Sequence, residues 1–331
     1  MSSIPSLGYL INCVLQTGKI HNFIINLDNS KSANNKGITN LRKFHNLIKS
    51  ELIINYCEQL NAKSLLDIAC GRGGDIHKWI QAKLKYVFAF DNHSESIYNE
   101  VKKGHSFDGA IGRFKQITKI SRTKLPFIKF HNIDIMSKDS FDKINKLDSN
   151  KIYDVVSCQF AFHYFSRNTS SMEHILSIIS KKLRIGGLFI GTSTDGDLVH
   201  NILSQGNVNI PLLTLLKNND SSLDIKNTNY LFYITDNEID KDKKIDETKI
   251  RKNYFEIQGV SSEFYVFKEK LTKLALKYDL ELIEYKSFYE WYTQLKKNIK
   301  SGKSGYNELE NMSIYEFIIS FLNFSFVFRK T

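Results

Sequence analysis

Three glycines stand where a strand gives way to a helix. Ser64-Leu65-Leu66-Asp67-Ile68-Ala69 reads as a short buried strand, followed by Cys70-Gly71-Arg72-Gly73-Gly74-Asp75. Ile76, Trp79 and Ile80 then recur at helical spacing. Lacking a Cβ, glycine lets the backbone approach a ligand that other residues would push away. The spacing is not the phosphate loop G-x-x-x-x-G-K-[ST]. It approaches the dinucleotide pattern G-x-G-x-x-G, but the third glycine is missing and Asp75 occupies the first helical turn. A carboxylate there opposes a pyrophosphate and tolerates a cation. S-adenosylmethionine carries a sulfonium, an ammonium and no phosphate, so the loop favours a methyl donor over NAD. Asp91, closing the apolar run Tyr86-Val87-Phe88-Ala89-Phe90, is placed to accept from both ribose hydroxyls. Asp134, following a third run from Phe127, can accept the adenine amino group. Each acid alone also reads as a turn or helix-cap residue. With the glycine loop they mark a class I methyltransferase.

The elements that position these residues alternate. Leu41, Phe44, Ile48, Leu52 and Ile53 predict a helix before the first strand. Tyr153 to Ser157 is a fourth strand, Ile175 to Leu183 a helix stopped near Gly186-Gly187, and Leu188 to Gly191 a fifth strand. Continuous apolar runs alternating with helices predict a parallel sheet covered on both faces. The fold class is therefore α/β: Rossmann-like, with a mostly parallel doubly wound sheet and an insertion, 193–262, after the fifth strand. Strands are expected at Tyr230–Ile234 and Phe255–Gln258, flanking the charge run Asp236–Lys252. An amphipathic helix is expected over Glu263–Tyr278, strands at Leu282–Tyr285 and Phe324–Phe328, and helices around Phe288–Leu295 and Ser313–Leu322. Residues 1–40 form an extension with candidate strands at Leu10–Leu15 and Phe23–Leu27, leaving 41–331 as one domain.

Composition narrows the class. The 331 residues are 42% hydrophobic and 24% charged, which excludes wholesale disorder. A net charge of +11 suggests a polyanionic partner, most often nucleic acid. Richness in Lys, Asn and Ile, as in an AT-rich genome, weakens that inference. Cys13, Cys57, Cys70 and Cys158 show no C-x-x-C spacing, so neither a disulfide framework nor a metal site is expected. The run Ile314–Phe328 is interrupted by Glu316, Asn323 and Ser325 and falls short of the ~20 apolar residues of a membrane span. Met1–Gln16 lacks a basic region and a cleavage pattern, so an intracellular protein is expected.

Four segments resemble the mRNA cap guanine-N7 methyltransferases. Leu41-Arg42-Lys43-Phe44-His45-Asn46-Leu47-Ile48-Lys49 resembles that family's R-N-x-N-N-x-x-K helix. Leu66 to Asp75 with Lys78-Trp79 resembles its L-D-L-G-C-G-K-G-G-D-x-x-K-W. Ser157-Cys158-Gln159-Phe160-Ala161-Phe162-His163-Tyr164 resembles S-C-Q-F-x-x-H-Y, and Glu263-Phe264-Tyr265-Val266 resembles E-F-L-V. The resemblance implies that Lys49, Ala69, Gly71, Asp91, Asp134, Gln159 and Tyr164 contact the methyl donor. It implies that Asn46, Arg72, Lys78, Lys103, His163 and Glu263 hold the cap, with the insertion on the acceptor side. Four positions depart from the family: Ala69 for Gly, expected at negative φ; His45 for Asn; Arg72 for Lys; and Asn323 for a Tyr in the last strand.

The implied chemistry needs no general base, because guanine N7 offers an in-plane lone pair and no proton. The enzyme supplies proximity, alignment and electrostatics. Glu263 can accept from guanine N1–H and the amino group; His163 can donate to the carbonyl oxygen. Arg72, Lys78 and Lys103 suit the triphosphate bridge or, taken singly, a solvated basic face. Phe160 and Phe162 read as core rather than stacking platforms. The expected partner is capped RNA, with other capping-enzyme domains or subunits beside it, and no membrane. Coding bias and an extension without a basic run suit a cytoplasmic, viral-type setting rather than a nuclear one. Two other readings stand: the same fold with another acceptor, and an inactive RNA-binding or stimulatory subunit. Intact Gly71, Gly73, Asp75 and Asp91 argue against the second.

Overall fold

The structure, a computed structural model, describes residues 7–15, 38–98, 109–210, 212–217, 229–234, 261–300, 309 and 311–331. The first half of the chain contains α1 (Leu7–Leu15), α2 (Thr39–Gln59), β1 (Ser64–Ile68), α3 (Ile76–Gln81), β2 (Tyr86–Asp91), α4 (Ser94–Tyr98), α5 (Ala110–Ile120) and β3 (Phe127–Asn132). Next come α6 (Ser140–Asp148), β4 (Tyr153–Gln159), α7 (Phe162–Phe165), α8 (Thr169–Lys182), β5 (Leu183–Thr194) and α9 (Gly196–Gln205). Then follow β6 (Val208–Ile210), β7 (Leu213–Lys217), β8 (Asn229–Ile234) and β9 (Ser261–Phe264). The chain closes with α10 (Lys268–Leu276), β10 (Leu280–Ser287), α11 (Phe288–Lys300), α12 (Ile314–Phe321) and β11 (Asn323–Lys330).

Among the described residues a seven-stranded sheet runs β10-β11-β5-β4-β1-β2-β3. The pairs from β3 to β5 are parallel, while β11 runs against both β5 and β10. All five residues of β1 are buried, as expected of a strand covered on both faces. Alternate side chains feed opposite cores: Leu65, Val87 and Val155 join one apolar cluster, and Leu66, Phe88 and Val156 the other. β6 to β9 form a separate antiparallel sheet within the connection from β5 to α10.

The helix that bears on the site, α2, has no side-chain cap of its own. Its first turn is held by Glu316, which is fully buried. Glu316 Oε1 accepts the backbone N–H groups of Asn40 (3.1 Å) and Leu41 (3.0 Å). Its Oε2 accepts the Ser313 N–H at 2.9 Å in a capping box on α12. One carboxylate thus satisfies donors at the start of two helices 275 residues apart in sequence.

Several expectations are corrected. Leu10–Leu15 lies in helix α1, whose Leu10, Ile11 and Val14 enter the same core as α2, so this part of the extension belongs to the packed unit. Helix α8 starts earlier, at Thr169, where the Asn168 side chain accepts the Ser171 N–H, and β5 follows it directly at Leu183. Glu263 is on strand β9, paired opposite Tyr230, and the helix begins only at Lys268. Phe23–Leu27, Asp236–Lys252 and Phe255–Gln258 lie outside the described residues. No helix among the described residues is long and apolar enough to cross a membrane.

Glu316→Ala leaves buried N–H donors at the start of α2 unmet. Loss of a charged acceptor is worth roughly 1.5–3 kcal/mol. Urea unfolding should show that loss, and an unchanged midpoint would mean that α2 is anchored otherwise.

Candidate active site

The strand order reverses beside β1: the chain leaves β1 toward β2 and leaves β4 toward β5 on the other side. Such a switch point leaves a crevice outside the carboxyl ends of the strands. A cavity of about 620 Å³ opens there. Lys49 and Asn46 reach it from α2, Ala69 and Gly71 from the loop after β1, and Asp91 from the end of β2. Asp134 reaches it from beyond β3, Gln159 from the end of β4, and Tyr164 from α7. All seven residues expected to hold the donor therefore line one cavity.

The loop after β1 bends through left-handed backbone. Gly71 has φ +52° and Gly73 +71°. Ala69 has φ +60°, which corrects the expected negative value: the position demands the conformation that a Gly adopts freely, and alanine holds it at a steric cost. A Cβ on Gly73 would come within 2.6 Å of Ile76 Cδ1. The Gly71 N–H donates to Asp91 Oδ2 and the His93 N–H to Asp91 Oδ1, both at 2.9 Å. These bonds aim the carboxylate while each oxygen keeps acceptor capacity. Burial pushes the Asp91 carboxyl up, against the pull of the two N–H groups.

These walls suit S-adenosylmethionine. Asp91 and Asp134 bring carboxylate acceptors to the wall. Phe90, Ile133 and Ile135 provide apolar lining around Asp134. Lys49 brings a cation suited to a carboxylate end.

The residues expected to hold the cap divide. Asn46 lines the cavity, whereas Arg72, Lys78, His163 and Glu263 do not, and Lys103 lies outside the described residues. Lys78 is 6% exposed. His163 and Glu263 are brought together, with Nε2 3.7 Å from Oε1 and each 1% exposed. Glu263 Oε2 accepts from Tyr230 Oη (2.7 Å) and Thr194 Oγ1 (2.9 Å), and His163 Nδ1 lies 3.3 Å from Ser193 Oγ. Burial pushes the His163 imidazole below its usual range, against the pull of Glu263, so at neutral pH the ring is uncharged.

His45, which replaces a family Asn, is buried and does not line the cavity. Its ring stacks on Phe160 at 4.9 Å, its Nε2 lies 3.1 Å from Ser320 Oγ, and burial lowers its pKa to about 3. Phe160 itself lines the cavity, at φ +54°, while Phe162 is core. Asn323 is also structural, since its amide donates to the carbonyl oxygens of Ile319 and Ser320 at the end of α12.

Six polar residues of the cavity wall were not among the expected contacts: Arg42, Asp75, Asn92, His93, Ser96 and Arg113. Arg42 precedes Asn46 by four residues on α2, a spacing that places both on one face. Arg113 follows Ala110 by three on α5, and Ala110 packs under Gly73. For Arg42 the helical spacing from Asn46 was the available signal.

Residues 21–330 match the mRNA (guanine-N(7))-methyltransferase domain. The chain belongs to that family. Its match begins within the segment 1–40. A probable mRNA-capping enzyme of Acanthamoeba polyphaga mimivirus is 29% identical over 312 residues, covering 87% of this chain and 25% of the viral protein. The mRNA cap guanine-N(7) methyltransferase 1 of Arabidopsis thaliana is 28% identical over 318 residues, covering 88% of this chain and 75% of the plant protein. A solved S-adenosylmethionine-dependent methyltransferase from Clostridium acetobutylicum aligns with TM-score 0.48 and 14% identity, over 85% of this chain and 89% of that one. As a member of the guanine-N7 methyltransferase family, the chain is an S-adenosylmethionine-dependent enzyme, and its class I fold is the one the strand order describes.

Asp91→Ala should remove acceptors at the donor site and weaken S-adenosylhomocysteine binding by about 1.5–3 kcal/mol in calorimetry. Parental affinity would take Asp91 out of the donor site.

Proposed function

We propose that this chain methylates N7 of the guanine cap of RNA, binding the donor in the cavity at the carboxyl ends of β1, β2 and β4. The observation that carries the reading is the convergence of Asn46, Lys49, Asp91, Asp134, Gln159 and Tyr164 on that one cavity. S-adenosylmethionine, when bound, supplies a sulfonium methyl and a neutral thioether leaving group. The protein's own residues bind and orient. Asp91 and Asp134 accept from the nucleoside, and Lys49 faces a carboxylate. Asn46, Arg42 and Arg113, at the cavity wall, serve the acceptor's charged bridge. Nothing needs to remove a proton, so alignment carries the rate, and held geometry can be worth roughly 7–11 kcal/mol.

His163 and Glu263 are assigned to the guanine. Glu263 Oε2 accepts from Tyr230 and Thr194, and Oε1, the oxygen facing His163, is assigned as the acceptor for guanine N1–H. The pair is 1% exposed and does not line the cavity, so its cover must open for guanine to reach it. A carboxylate beside the purine also favours the cationic product. The antiparallel sheet β6–β9, which carries Glu263, is accordingly assigned to the acceptor side. We also assign the chain a place beside other capping activities. Its sequence shows no RNA triphosphatase or guanylyltransferase signature, and it spans only a quarter of the viral relative. An intracellular site, cytoplasmic rather than nuclear, fits that setting.

Glu263→Gln keeps the shape and replaces one acceptor oxygen with a donor. Single-turnover methyl transfer to GpppRNA should fall about 10- to 100-fold, the equivalent of one charged hydrogen bond. Cap binding should weaken with it. Parental rate and cap affinity would remove Glu263 from guanine recognition, while a defect confined to donor binding would reassign it to the fold.

A further inference from the structure

Asp75 is given no contact with either substrate in the functional reading, yet it lies beside residues assigned to both. Its Oδ1 is 2.8 Å from Lys49 Nζ and 2.9 Å from Lys78 Nζ. The carboxylate side chain is 9% exposed, Lys78's 7% and Lys49's 13%. Lys78 Nζ also donates to Asn46 Oδ1 at 3.2 Å and to the Gly74 carbonyl at 3.3 Å. An ammonium has three N–H donors, and Lys78 has three acceptors: Asp75, Asn46 and Gly74. Lys78 is therefore a buried brace between the glycine loop and α2. Lys49 and Asn46, the two residues tied to Asp75 directly and through Lys78, both line the donor cavity.

We infer that Asp75 is a positioning residue for both substrates, orienting Lys49 toward the methyl donor and, through Lys78, Asn46 toward the acceptor. This rests on the functional reading above for what the cavity binds. The charge balance makes it specific. Two buried ammonium groups share one carboxylate, leaving a net of one positive charge for the donor's carboxylate end. The neighbouring groups do not replace Asp75. Asp67 on β1 is pushed well up by burial and by Asp75 itself. Cys70 is likewise raised by burial, and His45 on α2 is lowered to about 3 by burial. Asp91 on β2 is raised by burial, and Arg113 on α5 is a further cation at the cavity wall. Burial alone would raise Asp75 too, but Lys49 and Lys78 hold it at about 2, so it stays ionised throughout the neutral range.

The test compares the parent chain, Asp75→Asn and Asp75→Asn/Lys78→Met, using calorimetric S-adenosylhomocysteine affinity from pH 6 to 10. Asp75→Asn leaves two ammonium groups close together and buried, which favours loss of a proton from one of them. Its donor affinity should drop at least tenfold at pH 7, the effect expected of one lost charged hydrogen bond. It should decline further as pH rises, along an alkaline limb that begins lower than the parent's. The double variant returns to a single ammonium, Lys49. It should regain much of the donor affinity and move the alkaline limb back toward the parent, although it lacks one more native contact. Thermal unfolding of each protein shows whether the variants are folded. An Asp75→Asn protein with parental affinity and pH profile would overturn the inference, as would a double variant no better than Asp75→Asn. A double variant that does not fold is replaced by Asp75→Asn/Lys78→Gln, judged by the same two criteria. These readings need no acceptor, so a parent that binds donor but transfers no methyl to GpppRNA would contradict the functional reading and leave this one standing or falling by itself.

Discussion

Placing charge inside a protein is costly unless opposite charge meets it, and this site is organised by one such meeting. Asp75 opens helix α3 directly after the glycine loop, and Lys49 and Lys78 close on it from α2 and α3. The loop cannot shift without breaking that cluster, because the Gly74 carbonyl is bonded to Lys78. Nor can α2 move freely, because its first turn is fastened to Glu316 and its middle to Asp75. The cavity is shaped between these fixed parts and the carboxyl ends of the parallel strands.

The chemistry asks for this kind of rigidity. A methyl transfer to an atom that already presents a lone pair leaves little for acid–base catalysis to do, so the barrier falls mainly through approach and alignment. Donors and acceptors fixed before the substrates arrive cost no reorganisation at the moment of reaction. Asp91 illustrates the point: two backbone N–H groups hold its carboxylate before any ribose arrives. His163 and Glu263 are held as well, by Ser193, Tyr230 and Thr194, but they are buried away from the cavity, so anything that reaches them must first open their surroundings.

Much of this was legible in the residues. Strands β1, β2 and β4 are largely apolar and buried, as strands covered on both faces must be, whereas the edge strand β3 carries Lys129 and His131 and is only partly buried. The glycine loop and the acids at the strand ends fall where short-range pattern and chain order suffice. What was not legible depended on distant partners. Leu10–Leu15 is too short for periodicity to separate helix from strand, and its packing against the core decides. Glu263 precedes apolar residues at helical spacing, but pairing of 261–264 with β8 pulls it into a sheet. Ala69 gave no sign of positive φ, because an alanine in the left-handed region is held there by the surrounding loop. The burial of Lys78 beside Asp75 was not legible either, because a sequence shows charge but not burial. Arg113 reaches the cavity only because α5 packs against the loop, which residue spacing along the chain does not show.

The central claim is the identity of the atom methylated. Labelled S-adenosylmethionine and GpppRNA, followed by nuclease release of the cap and separation of its methylated nucleosides, tests it most directly. The account predicts label on N7 of the cap guanine, with none on a ribose or an internal base. Label elsewhere, or no transfer by a folded, donor-binding protein, would contradict it.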